Sequence, residues 1–170
     1  SFFSDGSQYT PPGPVRHSKY DFAVAYPDPD NLPLEDLIES VKAGFEREGR
    51  DLAYYSTGAG DPELRKLVAD KLNRERNMKV TADDMVLTSG SGEAIGIVIQ
   101  ALTNPGDVVL VEEFVYLGTL NQMKRYGANV VAVKCDDGGI IPESLDSSIA
   151  EQTANGKTVK YLYTIPMFQN

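Results

Sequence analysis

The chain has 170 residues, 41% hydrophobic and 24% charged, with a formal net charge of −9. This is enough apolar material for one sizeable core, and an acidic balance without a Lys/Arg cluster argues against nucleic acid or an anionic membrane as the main partner. One cysteine, Cys135, and one histidine, His17, exclude an internal disulfide framework and leave almost no room for a His/Cys zinc site or a Ser–His or Cys–His triad.

Cysteine usage points to a reducing, cytoplasmic compartment, and no run approaches the roughly 20 apolar residues a membrane span needs. Residues 1–31 are rich in Pro, Ser, Gly and Asp and lack periodicity, so they read as an extended arm lying on a neighbour. "LPLEDLIESVKAGFERE" is helical, with Leu34, Leu37, Ile38, Val41 and Phe45 on one face. "YYSTGAG" is Gly-rich, and Asp61-Pro62 then supplies an N-cap and a first-turn proline. Leu64, Leu67, Val68 and Leu72 are expected to form the buried stripe of the helix that follows, through about Arg76. "MKVTADDMVLTS" leads into a short strand at Val86–Thr88. Ala94 to Leu102 is apolar almost all round and is expected to be buried on most sides.

Beyond Asn104-Pro105-Gly106 the pattern alternates: strand "VVLV", helix Tyr116–Tyr126, strand "NVVAV", helix from Pro142 to about Thr153, strand "VKYLYTI". The strands are continuous apolar runs, as expected where a sheet is covered on both faces. The fold class is therefore α/β with a mainly parallel sheet. Cys135 reads as a small core filler. "DDGG", Asp136–Gly139, reads as a turn because it lacks the length and ligand spacing of an EF-hand loop. Glu112 and Glu113 are neighbours at a strand end and so point apart, which argues against a paired acid/base. The sequence stops at "YLYTIPMFQN", just as a strand runs out, and the expectation is that polypeptide continues beyond it.

The stretch with the most to explain is "VLTSGSGEAIGIVIQALTNPGD". In a parallel sheet, ligands bind beyond the carboxyl ends of the strands, and Ser89-Gly90-Ser91-Gly92 opens a helix there. The amides of a helix's first turn and its dipole favour an anion. Glycine lets oxygens approach without a Cβ in the way, and serine adds hydroxyl donors. The loop reads either as a phosphate cup built on the amides of Ser91 and Gly92 with a serine hydroxyl, or as a plain capped turn in which Glu93 complements the dipole. Neither G-x-G-x-x-G nor G-x-x-x-x-G-K-[ST] is present, which argues against a classical dinucleotide or a nucleoside triphosphate.

Five segments, "YYSTGAGDPELRKLVADKL", "VLTSGSGEAI", "NPGDVVLVEEFVY", "GANVVAV…DDGGIIPESL" and "YLYTIPMFQN", resemble in order and spacing the first half of a class I/II aminotransferase. This is the fold-type-I family that uses pyridoxal 5′-phosphate. The resemblance spans about residues 20–170 and is nearest the kynurenine/2-aminoadipate branch. It implies that residues 51–170 are the first part of a large, cofactor-binding domain that continues beyond them, and that residues 1–50 are an arm and helix belonging to the small domain and dimer contact. Ser91 and Gly92 match the phosphate-cup positions, with Gly90 between the serines and Ser89 a weaker candidate. Tyr116 matches the aromatic that stacks on the pyridine ring, and Phe114 stands where the family commonly has proline. Asn170 matches the asparagine that hydrogen-bonds the cofactor's phenolic oxygen. Tyr55, with Tyr54 as its rival, matches a tyrosine that reaches the partner subunit's cofactor phosphate, which implies a homodimer with shared sites. Where the family often has a glycine at the substrate carboxylate, Ala25 or Tyr26 could serve through the main chain.

The resemblance places the Schiff-base lysine, the acid at the pyridine nitrogen and the carboxylate-binding arginine beyond Asn170. Lys66, Lys71, Lys124, Lys157 and Lys160 read as helix-surface or strand-start residues, so no catalytic residue is expected within the stretch. The implied activity is a ping-pong transamination between an amino acid and a 2-oxo acid. The same scaffold also serves carbon–sulfur lyases, decarboxylases and cyclases, and a non-catalytic regulator domain. The last needs a basic winged-helix segment that residues 1–31 do not provide.

Overall fold

The computed structural model describes residues 27–167. Its centre is the strand Val108–Glu112 (β1), whose five residues are all buried. β1 pairs in parallel with Asn129–Val133 (β2) on one side and with Val159–Tyr163 (β5) on the other, giving the order β2-β1-β5. Between β2 and β5 lies a two-residue antiparallel hairpin, Cys135–Asp136 (β3) with Gly139–Ile140 (β4). Asp137 and Gly138 turn it, and the Gly138 amide donates to Asp136 Oδ1 at 2.7 Å, so "DDGG" is the turn the sequence indicates.

Helices cover both faces of β1. Five are present among the described residues: Leu34–Glu48 (α1), Pro62–Arg76 (α2), Ser91–Leu102 (α3), Leu117–Arg125 (α4) and Pro142–Ala154 (α5). On one face Val109 and Val111 pack with Ile99 of α3 and Met123 of α4. On the other, Val108 and Leu110 pack with Val133 and with Leu145 of α5. Successive residues of a strand point to opposite faces, which is why an unbroken Val-Val-Leu-Val run suits a strand with helices above and below. The loop into β1 is tied down by the Asn104 amide, which donates to Asp107 Oδ2 at 2.8 Å. That bond, with Lys160 Nζ 3.5 Å away, holds the Asp107 carboxyl below the usual carboxylate range.

Three expectations need correction. Val86–Thr88 is extended but forms no strand, because a strand needs a ladder partner and, among the described residues, its backbone reaches another segment only through the Leu87 amide, which donates to the Ala59 carbonyl at 3.0 Å. α3 is not buried on most sides: Ile99 is covered, while Ile97, Val98 and Leu102 are exposed, because the sheet and α4 cover one side only. The α2 stripe is also displaced. Leu64 and Leu67 are exposed and Val68 and Leu72 half-buried, whereas Ala69 is buried. The helix packs instead on the 3-10 turn Ala82–Asp84. Arg65 Nη1 donates to the Ala82 carbonyl at 2.8 Å, and the Asn73 side chain makes a two-way clip with the backbone of Val80 at 2.8 and 3.0 Å. These contacts fix the segment that leads into Ser89–Gly92.

Candidate functional site

Each connection in a parallel sheet returns the chain to the same edge, so the starts of α3 and α4 and the exit of β5 all lie at the carboxyl edge of β1. α3 begins at Ser91 with Gly90 as its N-cap, at φ 85° and ψ 169°, a region open in practice only to glycine. A side chain built on Gly90 or Gly92 would meet no atom within 4 Å. These glycines therefore face open space rather than close packing, as a site for an approaching oxygen requires.

The amides of the loop divide sharply. The Ser89 amide donates to the Glu93 carboxylate, and the Gly90 amide donates to the Thr88 carbonyl at 2.9 Å. Backbone bonding inside the helix starts with the Ala94 amide, which donates to the Gly90 carbonyl at 3.4 Å. The amides of Ser91, Gly92 and Glu93 thus have no acceptor among the described residues. Three consecutive open amides at a helix mouth concentrate positive partial charge. Ser89 and Gly90, candidates alongside Ser91 and Gly92, do not present free amides. Ser89 can contribute only through its hydroxyl.

Tyr116 is the N-cap residue of α4 and is exposed. Its ring lies over Gly118: a Cβ there would sit 2.5 Å from Tyr116 Cε1. Glycine two residues on thus makes room for the ring against the backbone of the helix's first turn. α4 is also fastened to the start of α3, with Gln122 Nε2 donating to the Gly92 carbonyl at 3.2 Å. The loop that carries Tyr54 and Tyr55 is docked beside Leu87 through Ala59 and Gly60, and Tyr55 itself is fully exposed. Ala25, Tyr26 and Asn170 lie outside the described residues.

A cavity of about 290 Å³ opens at the same sheet edge, lined by Glu112, Glu113, Phe114, Cys135, Asp136, Asp137 and Gly139. Its acidic lining repels an anion, and no cluster suited to a metal ion exists among the described residues. The two glutamates do point apart. Glu113 Oε1 accepts from the Cys135 amide at 2.8 Å, and the buried Glu112 accepts from Thr164 and Ile165. Glu112 is the residue the sequence reading missed. Its partners lie more than fifty positions away, so no local spacing reveals them. The five lysines named above lie on α2 and α4, before β5 or within it, and Lys160 is paired with Asp107.

Comparison with known proteins supplies what the geometry leaves open. Residues 22–165 match the family described as aminotransferase class I and II. The chain is 33% identical over 148 residues to aromatic-amino-acid aminotransferase 1 of Thermococcus litoralis, covering 87% of this chain and 36% of that protein. It is 35% identical over 166 residues to the mitochondrial kynurenine/alpha-aminoadipate aminotransferase of Rattus norvegicus, covering 87% of this chain and 39% of the relative. A crystal structure of Pyrococcus horikoshii kynurenine aminotransferase, in complex with PMP and with KYN and KYA, superposes with a TM-score of 0.73 at 31% identity, covering 85% of this chain and 35% of that one. The chain thus spans little more than a third of the length of these relatives. Together with the parallel sheet and the helix mouth beyond its carboxyl edge, these matches show that the chain belongs to the class I and II aminotransferases.

Proposed function

We propose that this chain contributes the phosphate grip and one wall of the ring pocket to a pyridoxal-phosphate-dependent aminotransferase. The observation that carries the reading is the set of open amides at Ser91, Gly92 and Glu93, on a helix start with free space above its glycines. A phosphate ester fits this donor set: it is anionic, needs several N–H donors at once, and is disfavoured by the acidic cavity next door. PMP, the amino form of the same cofactor, is present in the Pyrococcus horikoshii neighbour.

In this reading the Ser91 and Gly92 amides and the Ser89 or Ser91 hydroxyl hold the phosphate. Tyr116 offers an aromatic face to an electron-poor ring. Asn170 donates to the phenolic oxygen, and Tyr55, or Tyr54 beside it, reaches a second copy's phosphate. Ala25 or Tyr26 meets the substrate carboxylate through the backbone. When bound, the cofactor supplies an electron-withdrawing ring that accepts the charge left as the Cα proton departs. This chain's residues bind and orient; the proton-moving lysine belongs to polypeptide outside residues 1–170.

The working assembly is a homodimer in a reducing compartment, with residues 1–50 as arm and contact helix and 51–170 as the start of the cofactor domain. The apolar stripe of α1 supports this: Leu34, Leu37, Ile38, Val41 and Phe45 are all exposed, a row that needs a cover from a second copy or from further chain. Among the described residues no helix is long and apolar enough to cross a membrane.

Steady-state assays of a complete protein that includes the lysine-bearing polypeptide, loaded with pyridoxal phosphate, test the activity. Paired amino donors and 2-oxo acids should give the parallel double-reciprocal lines of a ping-pong reaction. Pyruvate or ammonia released without an acceptor would identify a lyase instead, and a loaded protein that turns over neither would contradict the proposal.

A further inference from the structure

We infer that Glu112 is a positioning residue of this site, one that sets where the chain leaving β5 begins its path toward the ring. The contact stands on the structure alone; its role at the ring rests on the aminotransferase reading above.

β1 consists of four buried aliphatic residues followed by a glutamate that is only 5% exposed. A residue there that served only to fill space would be apolar like its predecessors, because burying a carboxylate is costly unless donors compensate it. Donors are present. Thr164 Oγ1 donates to Glu112 Oε1 at 2.7 Å, and the Ile165 amide donates to Oε2 at 3.0 Å. Both oxygens are engaged by consecutive residues, which fixes the orientation of that backbone as well as its distance.

The place of these bonds matters. The β1–β5 ladder ends with Val111 opposite Tyr163. Glu112 takes over where backbone pairing stops, and carries the attachment two residues further with a side chain. Glu113 does the same on the other flank, holding the Cys135 amide. In sequence, the two proposed ring contacts follow closely from here: Tyr116 comes four residues after Glu112, and Asn170, outside the described residues, five residues after Ile165. One buried carboxylate therefore joins the origins of both.

The test uses the complete protein, with its lysine-bearing polypeptide, loaded with pyridoxal phosphate. Glu112→Ala removes both acceptors. Glu112→Gln can keep both contacts, its Oε1 accepting from Ile165 and its Nε2 donating to the Thr164 hydroxyl. In Glu112→Ala, hydrogen-exchange protection at Ile165 should fall roughly tenfold or more while Val109–Val111 keep theirs. The pH midpoint of the bound cofactor's absorbance should move by roughly half a unit or more, in the direction produced by Asn170→Ala, since loss of a donor to the charged oxygen shifts its titration. The double variant should shift no further than Asn170→Ala alone. Glu112→Gln should restore most of both readouts. Additive shifts, or unchanged protection at Ile165, would overturn the inference. If Glu112→Ala does not fold, Thr164→Val, which deletes one donor at constant shape, carries the same comparisons. A wild-type chain without any cofactor band would overturn the cofactor reading and this role with it, and exchange at Ile165 would still report whether the clamp exists.

Discussion

Ser91→Asp is expected to weaken pyridoxal phosphate binding by at least about a hundredfold, with the fold intact. A carboxylate at the first helical position lies where the phosphate must sit. Two like charges about 4 Å apart repel by roughly 4 kcal/mol at an effective dielectric constant near 20, and salt screening reduces this at an exposed site. The same carboxylate suits the helix, because a negative charge in the first turn complements the dipole. Ser91 is exposed and contributes nothing to the two clusters that hold the sheet. The melting temperature should therefore stay level or rise slightly while affinity collapses. Ser91→Ala separates the donors: it leaves the amide and deletes the hydroxyl, so a loss of less than about tenfold, the worth of one hydrogen bond, assigns most of the grip to the backbone. Fluorescence titration with pyridoxal phosphate beside thermal melts reads both. Undiminished binding by Ser91→Asp would remove the phosphate from this loop.

Gly60→Ala is expected to destabilise the chain by about 2–4 kcal/mol, combining left-handed backbone strain with overpacking. Gly60 has φ 91°, and a Cβ there would lie 2.7 Å from Leu87 Cβ and 2.8 Å from Leu87 Cγ and Cδ1. The nearest atom is the root of the leucine side chain and cannot rotate away, so the backbone must move. What moves is the dock between the tyrosine loop and the approach to the cup, where the Leu87 amide donates to the Ala59 carbonyl and Thr57 Oγ1 donates to the Gly60 carbonyl at 2.6 Å. Phosphate affinity should fall along with stability. Gly58→Ala is the control, since no atom lies within 4 Å of its added methyl. Denaturant midpoints for the two variants check the difference, and equal midpoints would show that the two loops do not depend on this contact.

These two positions illustrate what the sequence makes legible. The Ser/Gly excess of residues 89–92 marks a place for close approach, and the alternation of unbroken aliphatic runs with amphipathic segments marks a parallel sheet under helices. Both are local signals. Which amides of the loop stay open is set by conformation and not by composition: Glu93 folds back onto the Ser89 amide and Thr88 takes the Gly90 amide, so only those that follow are left without an acceptor among the described residues. Stripes are visible in the same limited way. Leu34 to Phe45 on α1 and Leu64 with Leu67 on α2 show their spacing, but spacing does not say what covers them, and among the described residues they are exposed. Val86–Thr88 has strand chemistry without a ladder partner, and composition cannot supply the partner. Glu112 looks like the polar end of an apolar strand until residues 164 and 165 arrive beside it.

Where a phosphate comes to rest decides whether the loop at Ser91 is its cup. A crystal structure of the full chain with pyridoxal phosphate measures this directly. Phosphate oxygens should lie about 3 Å from the Ser91 and Gly92 nitrogens, with the Tyr116 ring alongside the pyridine. A phosphate bound elsewhere, with those nitrogens bonded to the protein's own carbonyls, would contradict it.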